Sequence, residues 1–256
     1  MKKRVVAIIP ARMGSSRFPG KPLKKILELP LIEHVRRRVS LCDFIDDVYV
    51  ATCDGEIKDT VESCGGKTIM TSKSHERCTD RIEEAAQKLD ADIIVNVQGD
   101  EPLIIPELIK MLVEPFYKDI YISATCLIYP ITADEELGDV NTVKVVLNKD
   151  NSVMYFSRSP IPNFKLGIKP RFFEQSGIMA YEKGFLHKYS ELPQMPLERA
   201  ESIDMLRIIE HGFKIYGVII ENITVQVDFP EHILKVEKIL KEDQFQKAFY
   251  EKILKL

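Results

Sequence analysis

Two rhythms of apolar and polar positions run along this chain. In the first hundred residues, short runs of apolar and β-branched residues (5–9, 47–51, 68–70 and 93–97) alternate with longer stretches. In those stretches (31–41, 56–64 and 80–89) apolar residues recur at helical spacing. Unbroken runs suit strands buried on both faces, and the longer spacing suits amphipathic helices. Strand–helix–strand alternation predicts a parallel, doubly wound sheet, whose right-handed crossovers bring the strand C-termini and their loops to one edge. Arg12, the Cys53-Asp54 pair and Gln98-Gly99-Asp100 all follow predicted strand ends and can converge there.

Beyond a helical segment at 106–113 the rhythm changes. Residues 120–128, 142–147, 153–157 and 176–181 read as strands with few helices between them, which predicts a mixed or antiparallel sheet. Segment 158–175, with Pro160, Pro162 and Pro170 among several cations, predicts a long mobile loop. The tail, 230–256, predicts an amphipathic Lys/Glu-rich helix or a pair of helices. No repeat, low-complexity tract or clear linker interrupts the pattern, so one compact α/β unit with an inserted or appended sheet region is expected.

Composition narrows the class. With 45% apolar residues in 256, the chain can bury a sizeable core. A net charge of −3, from 36 basic and 39 acidic residues, and the lack of an aromatic–basic stripe argue against a nucleic-acid platform. Lys2, Lys3 and Arg4 precede only five apolar residues before Pro10, too few for a secretory leader, and no apolar stretch reaches membrane-span length. Five cysteines without C-x-x-C spacing argue against structural zinc and a disulfide framework, so a soluble, cytoplasmic protein is expected.

Against this mildly acidic background the first loop stands out. The strand at 5–9 empties into Arg12, Arg17 and Lys21, interleaved with Gly14, Ser15, Ser16 and Gly20. Small residues let backbone N–H groups approach phosphate oxygens and the cations neutralise them, which points to a polyphosphate; the alternative is a solvated basic turn. The spacing matches neither a Walker loop nor a dinucleotide fingerprint. Asp100 and Asp228 each end an apolar run, the first followed by Glu101-Pro102 and the second by Phe229-Pro230. Either can hold Mg²⁺ beside a phosphate loop or cap the helix that follows. Segment 74–81 opens a helix: Thr79 and Asp80 fit a cap, whereas Arg77 and Arg81 oppose the helix dipole, which a bound anion would explain. His34, His187, His211 and His232 sit in helical, Lys/Glu-rich settings and read as surface or packing residues. No G-x-S-x-G elbow or H-x-x-x-H pair supports a hydrolase triad or a metal site.

Ile-Pro-Ala-Arg-Met-Gly-Ser-Ser-Arg-Phe-Pro-Gly-Lys-Pro-Leu (9–23), Val-Ala-Thr-Cys-Asp (50–54) and Asn-Val-Gln-Gly-Asp-Glu-Pro (96–102) together resemble the CMP-Kdo synthetases, the 3-deoxy-manno-octulosonate (Kdo) cytidylyltransferases. The likeness continues through residues 143–147, 155–162, 177–181, 196–198, 206–207 and 227–231. It implies a Rossmann-like nucleotidyltransferase fold: a mostly parallel sheet flanked by helices, with a smaller mixed sheet region supporting the acceptor site and a homodimer. One domain, 1–256, would divide into a nucleotide-binding part (about 1–115 and 210–256) and an acceptor part (about 116–209). The implied reaction joins CTP to a 2-keto-3-deoxy sugar acid, giving a CMP-sugar and pyrophosphate. By the same resemblance Arg12, Ser16, Arg17 and Lys21 would hold the triphosphate. Thr52, Asp54, Ser74, Arg81 and Gln98 would line the cytidine pocket or its rim. Asp100 and Asp228 would hold Mg²⁺, and Arg158, Tyr181 and Glu198 would face the sugar.

The chain departs from the family pattern at three places. Arg77-Cys78 replaces a Ser-Gly pair, Gln175 replaces a histidine, and Asp204-Met205-Leu206-Arg207 replaces Glu-Gln-Leu-Arg. Arg77 and Gln175 therefore join the acceptor-binding candidates. An alternative is a cytidylyltransferase for a different small anionic acceptor; another is a non-catalytic nucleotide-binding module.

Overall fold

A computed structural model describes residues 3–15, 17–75, 77–118, 122–165, 167, 170–221 and 225–256. The chain divides into two compact units, Met1–Lys110 with Thr224–Leu256, and Met111–Ile223.

The first unit begins with β1 (Val5–Ala11), whose Val5, Val6, Ala7, Ile8 and Ile9 are wholly buried. Fully burying a Val or Ile side chain stabilises by about 1.5–3 kcal/mol, which explains why this run anchors the sheet centre. The strand passes through Pro10, where the apolar run stops, and ends at Ala11. A short hairpin, β2 (Lys25–Ile26) and β3 (Leu29–Pro30), leads to α1 (Leu31–Ser40). Then follow β4 (Asp47–Thr52), α2 (Gly55–Ser63), β5 (Lys67–Met70), α3 (Cys78–Gln87), β6 (Ile93–Asn96) and α4 (Pro106–Val113). β6, β1, β4 and β5 lie side by side, all parallel, with Val6 opposite both Asp47 and Ile94. The predicted doubly wound order is present, each element within a few residues of its expected bounds.

The second unit holds β7 (Ala124–Pro130), α5 (Asp134–Gly138), β8 (Lys144–Leu147), β9 (Val153–Ser157) and β10 (Phe173–Glu182). These are followed by α6 (Lys183–Glu191), α7 (Pro196–Glu201), α8 (Leu206–Glu210) and β11 (Ile215–Ile219). β10 runs antiparallel to β7 and β8, β8 antiparallel to β9, and β11 parallel to β7, so this sheet is mixed, as expected. Part of the 120–128 strand prediction lies outside the described residues. Of the three helices after β10, α7 and α8 are too short to display a helical period, whereas the nine-residue α6 was passed over although Phe185, Leu186 and Tyr189 recur at helical spacing.

The tail returns to the first unit as α9 (Glu231–Glu242) and α10 (Gln244–Ile253), a pair broken at Asp243, whose carboxylate caps α10 by accepting the Gln246 N–H. Val236, Leu240, Tyr250 and Ile253 pack in one apolar cluster with Phe18, Leu103 and Val227. Each of these last three is a near sequence neighbour of a charged residue treated below. Among the described residues no helix is long and apolar enough to cross a membrane.

Candidate active site

The loop after β1 is held by its own backbone. Met13 C=O accepts the Ser15 and Gly20 N–H groups, and Met13 N–H donates to Asp54 Oδ2 at 2.8 Å. Asp54 thus ties the loop to the end of β4, and Thr52 Oγ1, wholly buried, accepts the Asp54 N–H. Gly20 takes φ +70°, a left-handed conformation that costs glycine little, and turns the chain into a short 3₁₀ helix at Lys21–Leu23. Phe18 is buried as the anchor, leaving Arg12 and Arg17 exposed. Ser16 lies outside the described residues.

Lys21 meets two carboxylates. Its Nζ is 2.7 Å from Asp100 Oδ2 and 3.7 Å from Asp228 Oδ1, so those two oxygens are at most 6.4 Å apart. Arg17 pairs with Asp228 at 2.9 Å. Backbone bonding secures the meeting: Val227 N–H donates to Asp100 C=O at 2.9 Å, and Gln226 Nε2 donates to Glu101 at 2.8 Å. Gly99 is required here, because a Cβ would stand 2.9 Å from the Pro10 carbonyl oxygen. Neither aspartate caps a helix: α9 begins behind Pro230, and Asp228 is spent on cations instead.

Arg17, Lys21 and Asp100 line a cleft of about 290 Å³ whose walls also include Arg12, Arg77 and Arg81. Five cations against one carboxylate make it a place for a polyanion. Gln98, His75 and Cys78 also line it. Arg81 is only 3% exposed and is aimed by bonds from Nη1 to Thr71 Oγ1 and the Ser72 carbonyl. His75 Nε2 lies 2.6 Å from Glu84. Burial pushes the Glu84 carboxyl up, but the Ser72 N–H, His75 and Lys88 outweigh it and hold the group at about 2. The sequence pattern passed over His75, although its segment was dense in hydrogen-bonding groups. α3 starts at Cys78 with Arg77 in the cap position and no side-chain cap, so Thr79 and Asp80 are not caps. Arg77, expected among the acceptor residues, stands on the wall of this cleft. Ser74 is exposed and bonds Ser72.

The remaining acceptor candidates belong to the second unit. Arg158 donates to the Val140, Glu201 and Ser202 carbonyls. Tyr181 is fully buried, its hydroxyl 3.3 Å from the Met179 sulfur and 3.5 Å from that of Met205, and Gln175 Nε2 is 3.9 Å from Met179. Both Glu198 oxygens accept from Arg207 at 2.7 Å in a buried pair. Glu198 is therefore closed off from solvent by Arg207, a relation that no local pattern announces.

Among the described residues no three His, Cys, Asp or Glu side chains gather as a metal site. Asp100 and Asp228 nonetheless fit Mg²⁺. They already share one cation, the Lys21 ammonium, and hard carboxylate oxygens in this number suit a Mg²⁺ that takes its other ligands from phosphates and water.

Residues 6–215 match a protein-family model described as cytidylyltransferase. The 3-deoxy-manno-octulosonate cytidylyltransferase of Escherichia coli is 39% identical, over 96% of this chain and 99% of its own length. The 8-amino-3,8-dideoxy-manno-octulosonate cytidylyltransferase of Shewanella amazonensis is 42% identical, over 93% and 99%. Among solved structures, a CMP:2-keto-3-deoxy-manno-octonic acid synthetase complexed with CTP superposes with a TM-score of 0.90 at 39% identity, covering 94% of this chain and 99% of that one.

Proposed function

This chain belongs to the cytidylyltransferase family, and from that premise we propose that it couples CTP to a 3-deoxy-octulosonic sugar acid, releasing pyrophosphate and a CMP-sugar. The observation that carries the proposal is the meeting of Asp100 and Asp228 on Lys21, which with Asp100 lines a cationic cleft.

An acceptor hydroxyl oxygen attacks the α-phosphorus in line as the bond to the pyrophosphate oxygen breaks. Charge spreads over the non-bridging oxygens, so catalysis is a matter of positioning and electrostatics rather than covalent work by the protein. Arg12 faces the charge that builds at the α-phosphate. Arg17 and Lys21 neutralise the departing pyrophosphate, and Arg77 and Arg81 add to the same field. Asp100 and Asp228 would hold Mg²⁺, which when bound supplies Lewis-acid neutralisation of the triphosphate. Gln98, on the cleft wall, offers an amide to the nucleotide. A homodimer and a cytoplasmic location belong to the same reading, as the family resemblance implies.

The acceptor has two candidates. Kdo is favoured by the E. coli relative, and its 8-amino analogue by the Shewanella relative at 42% identity. Pyrophosphate release from CTP and Mg²⁺ with each acid separates them: the faster acceptor is the substrate. Tight CTP binding without release from either acid overturns the proposal in favour of a nucleotide-binding module.

A further inference from the structure

His232 has no role in the transfer described above, yet it is built into the carboxylate site. Its Nδ1 stands 3.1 Å from the Asp228 backbone nitrogen and 3.0 Å from the Gln226 carbonyl oxygen. A bare Nδ1 accepts the Asp228 N–H; a protonated one donates to the Gln226 carbonyl. In either state the ring, projecting from the first turn of α9, is fastened to the backbone of 226–228. It also meets Phe229 edge to face, 5.6 Å between centroids at 86°. Phe229 lies 5.6 Å beneath the Arg17 guanidinium, and Arg17 pairs with Asp228 at 2.9 Å. The contacts form a closed circuit from Asp228 through Arg17, Phe229 and His232 back to the Asp228 backbone.

Asp228 needs such support. Residues 225–228 belong to no helix or strand, so no ladder of sheet bonds aims the carboxylate. The Val227 N–H bond to Asp100 fixes the segment on one side. We propose that His232, with Phe229, is a positioning residue that fixes the segment on the other, setting where Asp228 stands relative to Asp100 and hence the affinity of the pair for a divalent cation. This rests on the metal reading above. Groups that orient metal ligands typically contribute about 10- to 100-fold in metal affinity or activity.

The test measures Mn²⁺ binding by the spin-resonance signal of the free ion, with CTP and no acceptor, and Mg²⁺ dependence of pyrophosphate release. It compares wild type, His232→Ala, His232→Asn and Asp228→Asn, with thermal midpoints alongside. His232→Ala is expected to weaken Mn²⁺ binding and raise the half-saturating Mg²⁺ by about 10-fold. His232→Asn, whose amide supplies both an acceptor and a donor, recovers most of that loss. An unchanged His232→Ala, or equal losses in the Ala and Asn variants, overturns the inference while leaving the metal reading intact if Asp228→Asn is impaired. If Asp228→Asn binds Mn²⁺ like wild type, the metal reading has failed and takes the inference with it.

Discussion

The Lys21 ammonium touches the Asp100 carboxylate at 2.7 Å across 79 residues of sequence. Both side chains are mostly buried, so the pair is screened less than a surface ion pair, and Asp228 joins it from the far end of the chain.

Lys21→Gln keeps a polar, slightly shorter side chain and removes the charge. It leaves the two carboxylates facing each other without a shared cation and weakens neutralisation of the leaving group. The rate of pyrophosphate release is expected to fall by about 100-fold or more at saturating Mg²⁺. Initial rates over a CTP series check this, and a rate within threefold of wild type contradicts it.

Gly99→Ala sets a methyl group 2.9 Å from the Pro10 carbonyl oxygen, a contact that backbone on both sides must move to relieve. A loss of about 1–3 kcal/mol in unfolding free energy is expected, with reduced activity, because Asp100 is the next residue. Denaturant titration measures the first and the pyrophosphate assay the second.

Breaking the buried Glu198–Arg207 pair leaves one charge uncompensated. Glu198→Gln is expected to cost about 3–5 kcal/mol of stability, visible in the denaturant midpoint. A double replacement of both residues by apolar side chains should recover much of it.

Glu174 gives the second unit a pH signature. Burial, then the nearby Glu136 and Asp139 charges, outweigh Lys144 and push its carboxyl up to about 7 from 4.5. An acid whose folded value is raised holds its proton more tightly when folded. Its contribution is therefore complete below about 4.5 and is lost as pH rises through about 7. Glu174→Gln removes that dependence: relative to wild type the variant gains stability between pH 5 and about 8, with no further gain above. Melting curves of both proteins across that range check the sign; a relative gain on acidification instead would refute it.

The parallel strands and their helices were legible because period and length are local properties. The Val5–Ile9 run read as a strand buried on both faces and the tail as one or two helices, and both are present. The cations of the first loop also stood out from composition alone, since three of them crowd the exit of a buried strand. Elements below about two turns, α7 and α8 among them, left no such trace.

What the sequence determined by itself was therefore the alternation of elements, the concentration of cations in the first loop and the family to which its motifs point. Tertiary structure decided which residues meet. Lys21, Asp100 and Asp228 come together because the parallel strand order places the exits of β1 and β6 side by side and the returning tail runs along Asp100. Tertiary packing also puts Arg77 on the wall of the cationic cleft, while Glu198 meets Arg207 and Asp228 meets His232 across turns of only nine and four residues. The meeting of Lys21, Asp100 and Asp228 depends on the path of the chain between the partners, and no window of sequence around any one of them contains that path.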